Sequence, residues 1–173
     1  MNFSLEDTIS ILRRTPETVR NTLSGLPDNW TKQNEGSETW SPFDVVGHLI
    51  HGEKTDWIPR TKIILYEDDK RFTPYDRFAQ FKESVGKTME DLLTEFEVPR
   101  AENIQELEGL NLQEDDFDKT GVHPEFGTVT IRQLLAAWTV HDLGHLVQIN
   151  RVLAKQYKEE AGPWPKYLAV LNN

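Results

Sequence analysis

The chain has 173 residues, 37% hydrophobic and 28% charged, a composition that suits one globular domain over residues 1–173. Nineteen Lys and Arg stand against 29 Asp and Glu, and the formal charge of −10 argues against a nucleic-acid backbone as partner. Cysteine is absent, which excludes disulfides, thiolate metal sites, iron–sulfur clusters and a cysteine nucleophile.

No stretch approaches the ~18 apolar residues of a membrane span. The start, Met1–Asp7, carries acid where a signal peptide carries base. A soluble cytoplasmic protein is the expectation.

Four long segments have helical periodicity. The first runs from about Leu5 to Ser24, with Leu5, Ile9, Leu12, Val19 and Leu23 on one face, and Gly25-Leu26-Pro27 ends it. The second starts at Ser41-Pro42-Phe43-Asp44, where an N-cap serine, a proline at the first helical position and an acid three residues on agree. It continues to about Tyr66, with a kink or break expected at Pro59. Residues 67–87 read as a connection with one helical turn around Arg77–Glu83. The third helix opens at Thr88 with Asp91 three residues on and runs to Leu110, kinked at Pro99.

An acidic loop follows from Asn111 to Val129 and contains His123. A capping box at Thr130 and Gln133 then opens the fourth helix, to about Tyr157. A short C-terminal helix, Pro165–Leu171, is expected to lay its aromatics across the bundle. Four such helices and few strand signals predict an all-α four-helix bundle.

The fourth helix carries the chemistry. Alternate steps of three and four give Ile131, Leu134, Trp138, His141, His145, Gln148 and Val152, the seam that faces a bundle core. On this phase Asn150 and Arg151 face away. Residues four apart lie roughly 5–6 Å apart at Cβ, so His141 and His145 can share one metal. They can equally be two core histidines bonded to backbone or to acids of other helices. A metal needs a third ligand. His48 is in phase with Val45 and Leu49, and the small Gly52 one turn on leaves room beside it. His51 is offset to the flank and reads as the partner of an acid, and His123 as a loop residue. Asp142 points about 100° away from its neighbours and suits orienting an imidazole.

Trp40-Ser41-Pro42-Phe43-Asp44-Val45-Val46-Gly47-His48-Leu49, the segment Gly127–Arg132 and Trp138-Thr139-Val140-His141-Asp142-Leu143-Gly144-His145-Leu146-Val147-Gln148-Ile149 resemble the DinB-like superfamily. The resemblance covers nearly the whole chain. It implies an up-down-down-up bundle with residues 67–87 as the crossover. It also implies one divalent metal ion held by His48, His141 and His145, with zinc, nickel or iron as the leading choices.

Among the activities the resemblance implies, the first expectation is transfer of a low-molecular-weight thiol, ionised at the metal, to a small electrophile. The alternative is hydrolysis of a small ester or amide, for which Asp142, Glu53 and Asp56 are candidate bases. A third is a non-catalytic metal-binding stress-response bundle. Gln148, Trp138 and Gly52 are the expected substrate contacts, with Val45 and Leu49 in the same wall. A small-molecule substrate, a thiol cosubstrate and a second copy of the chain are the expected partners, with neither nucleic acid nor membrane.

Overall fold

The structure is a computed structural model that describes residues 2–172. The first predicted helix is two, α1 (Leu5–Leu12) and α2 (Thr15–Leu23). Pro16 explains the division, because it has no N–H to continue α1 and instead occupies the first turn of α2. A single turn, α3 (Asp28–Thr31), follows. Helix α4 (Pro42–Thr55) begins with the predicted Ser41–Asp44 capping box. It ends at Asp56, and α5 (Trp57–Tyr66) starts at the next residue. The break therefore falls three residues ahead of Pro59. A proline leaves the carbonyl four residues earlier without its donor, here Thr55, and is itself tolerated in the first turn of α5.

The connection holds the short α6 (Gln80–Glu83), and α7 (Met89–Gly109) runs unbroken through Pro99. The segment read as an acidic loop is more ordered than expected. It forms a 3-10 turn at Glu114–Asp118 and an antiparallel hairpin of β1 (Thr120–His123) and β2 (Gly127–Thr130). The turn of that hairpin uses Gly127 at φ +71°. The crossover segment bridges to it too, since Phe72 N–H donates to Val122 O at 2.9 Å and Val122 N–H to Lys70 O at 2.8 Å. Helix α8 (Ile131–Lys155) closes the bundle. The predicted C-terminal helix is two 3-10 turns. Trp164 and Tyr167 face solvent there, and Leu171 is the side chain that is buried.

Ion pairs and stacked rings fix the helix directions. Arg20 pairs with Glu90 and Glu97, and Arg13 with Glu108, so α1–α2 runs antiparallel to α7. Lys54 pairs with Glu95 and Lys62 with Glu106, so α4–α5 runs parallel to α7. Trp57 stacks on Trp138 and His48 meets His145, so α4–α5 is antiparallel to α8. The order is up-down-down-up, and the parallel second and third helices are what require the long crossover.

The core has two apolar clusters. One contains Leu12, Trp57, Ile104, Leu135 and Trp138, and the other Val19, Leu49, Phe96 and Ile149. Between them every bundle helix contributes to one polar layer. Arg100 of α7 donates to Glu53 of α4 at 2.7 Å, to Asp142 of α8 at 2.7 Å and to Leu12 O at the end of α1 at 2.7 Å. Asn103 and Trp138 donate to the Glu53 carboxylate at 3.0 and 3.2 Å. A buried guanidinium with this many acceptors remains ionised, because each carboxylate would otherwise carry an uncompensated charge.

Candidate metal centre

The four-residue spacing on α8 and the phase of α4 bring His48, His141 and His145 together. One ring nitrogen from each lies within 4.8 Å of the other two. His141 Nε2 is 3.0 Å from His48 Nε2 and 3.1 Å from His145 Nε2. Their outward nitrogens decide what the inward ones carry. Nδ1 of His145 lies 2.8 Å from the Gln148 amide oxygen, an acceptor, so that nitrogen holds the proton. Nδ1 of His141 faces Asp142 Oδ1 at 3.8 Å, and neither atom has another hydrogen-bond partner. Nδ1 of His48 lies 3.1 Å from the Tyr75 hydroxyl, which also reaches His48 O at 3.5 Å. Neutral rings so held turn three Nε2 lone pairs toward one point.

Three lone pairs at such distances repel unless a positive charge lies among them. Burial, then the charges of His145 and His141, push His48 down to about 2. Burial and His141 push His145 down to about 4, against the opposing bond to Gln148. The donor set is all imidazole with no carboxylate, thiolate or fourth protein ligand among the described residues. It suits zinc, nickel, iron or copper and leaves coordination positions free.

The polar layer lies directly behind the triad. Burial alone would raise Asp142, but the Arg100 charge overcomes it and holds the carboxyl below its ordinary value. Asp142 and Glu53 are thereby committed to Arg100 and face away from the cavity. Of the three candidate bases, one lines the cavity. Asp56, at the α4–α5 break, lines the cavity in front of the triad. It is 8% exposed, and burial raises its pKa against the opposing charge of Arg60. Arg60 Nη1 pairs with Asp56 Oδ1 at 2.6 Å.

The cavity measures about 1300 Å³, and its lining includes His48, Gly52, Asp56, Trp57, His141, His145 and Gln148 together with Trp40, Tyr75 and His123. Of the three expected substrate contacts, Gln148 and Gly52 line this cavity. Trp138 does not. It is fully buried, and Trp57, stacked on it at 5.8 Å, forms the wall instead. Val45 and Leu49 are likewise core residues. The space beside Gly52 is taken up by Trp57 Nε1, which a Cβ there would meet at 3.3 Å. Arg151 does not face away as its phase suggests, because Glu35 of the loop before α4 draws it to the cavity mouth. His51 pairs with Glu83 at 3.0 Å, as its flank position suggests, although it is buried. Tyr75 is the contact the sequence conceals, an aromatic in a connection without periodicity. Its nearest signal is the Pro74-Tyr75 pair within an otherwise polar stretch.

A bundle of this connectivity with a three-histidine cluster inside defines a class, and comparison with known proteins gives the family. The family model described as DinB superfamily matches residues 11–149, and the chain belongs to that superfamily. One relative, from Oceanobacillus iheyensis, carries the name "Putative metal-dependent hydrolase OB0782". It is 21% identical over 164 residues, covering 90% of this chain and 89% of the relative. Among solved structures, YfiT from Bacillus subtilis, described as "a probable metal-dependent hydrolase with an unusual four-helix bundle topology", superposes with a TM-score of 0.75. The match is 18% identical and covers 90% of each chain. TT2238, described as a four-helix bundle protein, matches at 0.57 with 16% identity, over 85% of this chain and 98% of its own. No described helix is long and apolar enough to cross a membrane.

Proposed function

We propose that this protein is a divalent-metal-dependent hydrolase of a small ester or amide. The observation that carries the reading is the pairing of the triad with Asp56, a buried carboxylate that lines the same cavity. The relatives' names point the same way. Bound by His48, His141 and His145, a divalent ion supplies Lewis-acid polarisation of a carbonyl and acidification of water.

The chain's own residues supply the rest. The Asp56 carboxylate takes a proton from the attacking water as the water oxygen bonds to the substrate carbonyl carbon. It returns that proton to the departing alcohol or amine as the carbon–heteroatom bond breaks. Burial makes this carboxylate more basic than a solvated one, and Arg60 holds it in place. Tyr75 and Gln148 orient the His48 and His145 rings through their outer nitrogens. Trp57 keeps the wall behind the reacting bond dry.

Thiol transfer is the second reading, favoured by the open positions of the triad and by a chain that has no thiol of its own. It gives Asp56 no task, since a thiol at a metal ionises without a base. The test is a panel of small esters and amides offered to zinc-, nickel- and iron-loaded protein, with and without glutathione, bacillithiol or mycothiol. Metal-dependent cleavage without thiol, abolished in His145→Ala and lowered at least about a hundredfold in Asp56→Asn, is expected. Product formation only when a thiol is added would overturn the hydrolase in favour of the transferase.

A further inference from the structure

Of the eight phenylalanines, five are buried or half-buried, and the three that the fold leaves exposed all line the triad's cavity. Phe78, Phe81 and Phe126 are 58%, 44% and 74% exposed. Phe78 and Phe81 stack with centroids 6.3 Å apart, Trp40 meets Phe81 edge-on at 6.4 Å, and Phe126 stacks on His123 at 4.4 Å. Apolar surface gathered at one mouth, while the rest of the phenylalanines are covered, marks a contact surface for a ligand.

The charges around that mouth are also uneven. Of nine arginines, seven make ion pairs and Arg14 bonds to Ser10. Among the described residues Arg77 has neither an acid nor a hydrogen-bond partner, although acids outnumber bases 29 to 19. Arg77 lines the cavity with its guanidinium 5.8 Å from the Phe78 ring. The other two arginines there, Arg60 and Arg151, are neutralised by Asp56 and Glu35. Glu38 and Glu125 line the cavity without a cationic partner, so a ligand with several negative charges is repelled.

We infer that the substrate is a monocarboxylate with a flat or extended apolar body, its carboxylate paired with Arg77 and its body held among Phe78, Phe81 and Phe126. The guanidinium fork matches a carboxylate in two parallel hydrogen bonds. The inference rests on the metal-dependent reading for which end of the substrate reacts, but not for the pairing itself.

The test compares binding of three metal-directed probes to zinc-loaded protein by calorimetry, namely benzohydroxamate, 4-carboxybenzohydroxamate and 4-phosphonobenzohydroxamate. The carboxylate probe is expected to bind about three- to tenfold tighter than the neutral one, with the advantage shrinking as salt is added. The phosphonate should bind less tightly than the carboxylate. In Arg77→Gln, a solvent-exposed change, the neutral probe should bind as before and the carboxylate advantage should vanish. Equal binding in the native protein, or an advantage that survives Arg77→Gln, overturns the inference. If no hydroxamate binds, the metal-centred reading fails instead. The subsite is then tested without metal, by tryptophan fluorescence with 4-methylbenzoate against 4-methylbenzamide. A preference for the benzoate lost in Arg77→Gln upholds the subsite, and no preference overturns it.

Discussion

Arg100 on α7 donates to the carboxylate of Asp142 on α8 at 2.7 Å, both side chains being almost wholly out of solvent. Asp142 is next in the chain to His141 and presents its other oxygen to that imidazole. One residue thus connects the layer that ties the bundle together to the back of the histidine triad. The layer holds two carboxylates against one guanidinium, an excess negative charge that favours a cation in front of it.

Removing the guanidinium leaves Glu53 and Asp142 buried and unpaired. Arg100→Met is therefore expected to lower unfolding free energy by about 3–5 kcal/mol, the usual cost of breaking a buried pair from one side. Denaturant titration reads this directly, as a lower midpoint at an unchanged slope. A loss under 1 kcal/mol would show that water reaches the layer and solvates the two acids.

If the triad holds the metal, purified protein should contain close to one divalent ion per chain by elemental analysis. His48→Ala, His141→Ala and His145→Ala should each deplete it, whereas His51→Ala and His123→Ala should not. Ligand present at a hundred times its Kd stabilises by about 2.7 kcal/mol, so chelation should lower Tm by about 5–10 °C. Full occupancy in His145→Ala would refute the assignment.

The triad could be read from the chain because its signals are local and periodic. Spacing four on α8 and the phase of His48 among Val45 and Leu49 survive into the fold unchanged. Helix starts were equally legible, since the caps at Ser41, Thr88 and Thr130 need only neighbours three residues away. Breaks were harder. A proline acts on a carbonyl four residues back, so the interruption near Pro59 appears at Asp56, and the one at Pro16 separates two helices that share a hydrophobic face. What seam counting could not supply is depth. Trp138 and Gln148 share one seam, yet Trp57 of another helix covers the first and leaves the second open. Arg151 and Tyr75 likewise depend on partners that are distant in sequence, Glu35 and His48.

Glu35 gives a test in pH. Hydrogen bonding to Arg151, opposed by burial and aided by Lys155, lowers its pKa from 4.5 to about 2. A carboxyl lowered on folding stabilises the native state fully above its unfolded pKa and loses that contribution as pH falls through the folded one. Native protein should therefore exceed Glu35→Gln in urea midpoint at pH 6, and the gap should close between pH 4.5 and about 2. A gap that does not change over that interval would mean the loop is held by contacts other than this ion pair.

Among the described residues, Tyr75 is the one crossover side chain that hydrogen-bonds to the triad. Its hydroxyl meets His48 Nδ1 at 3.1 Å, and its position beside Gly52 lets it approach α4 closely. Burial raises the phenol's pKa, so the hydroxyl keeps its proton at neutral pH and can donate to His48 O while accepting from Nδ1–H. That arrangement fixes the tautomer which leaves Nε2 free for a metal. Tyr75→Phe removes the hydroxyl and keeps the ring that packs edge-on to His48 at 5.6 Å. Loss of a partner behind a ligating histidine costs 10- to 100-fold in metal affinity as a rule, and about tenfold is expected here because the ring still restrains the imidazole. Competition against a chromophoric chelator measures the change, and circular dichroism checks that the helices persist. Tyr75→Leu, which removes ring and hydroxyl together, should weaken binding further. Equal affinities for the native protein and Tyr75→Phe would mean that packing alone orients His48.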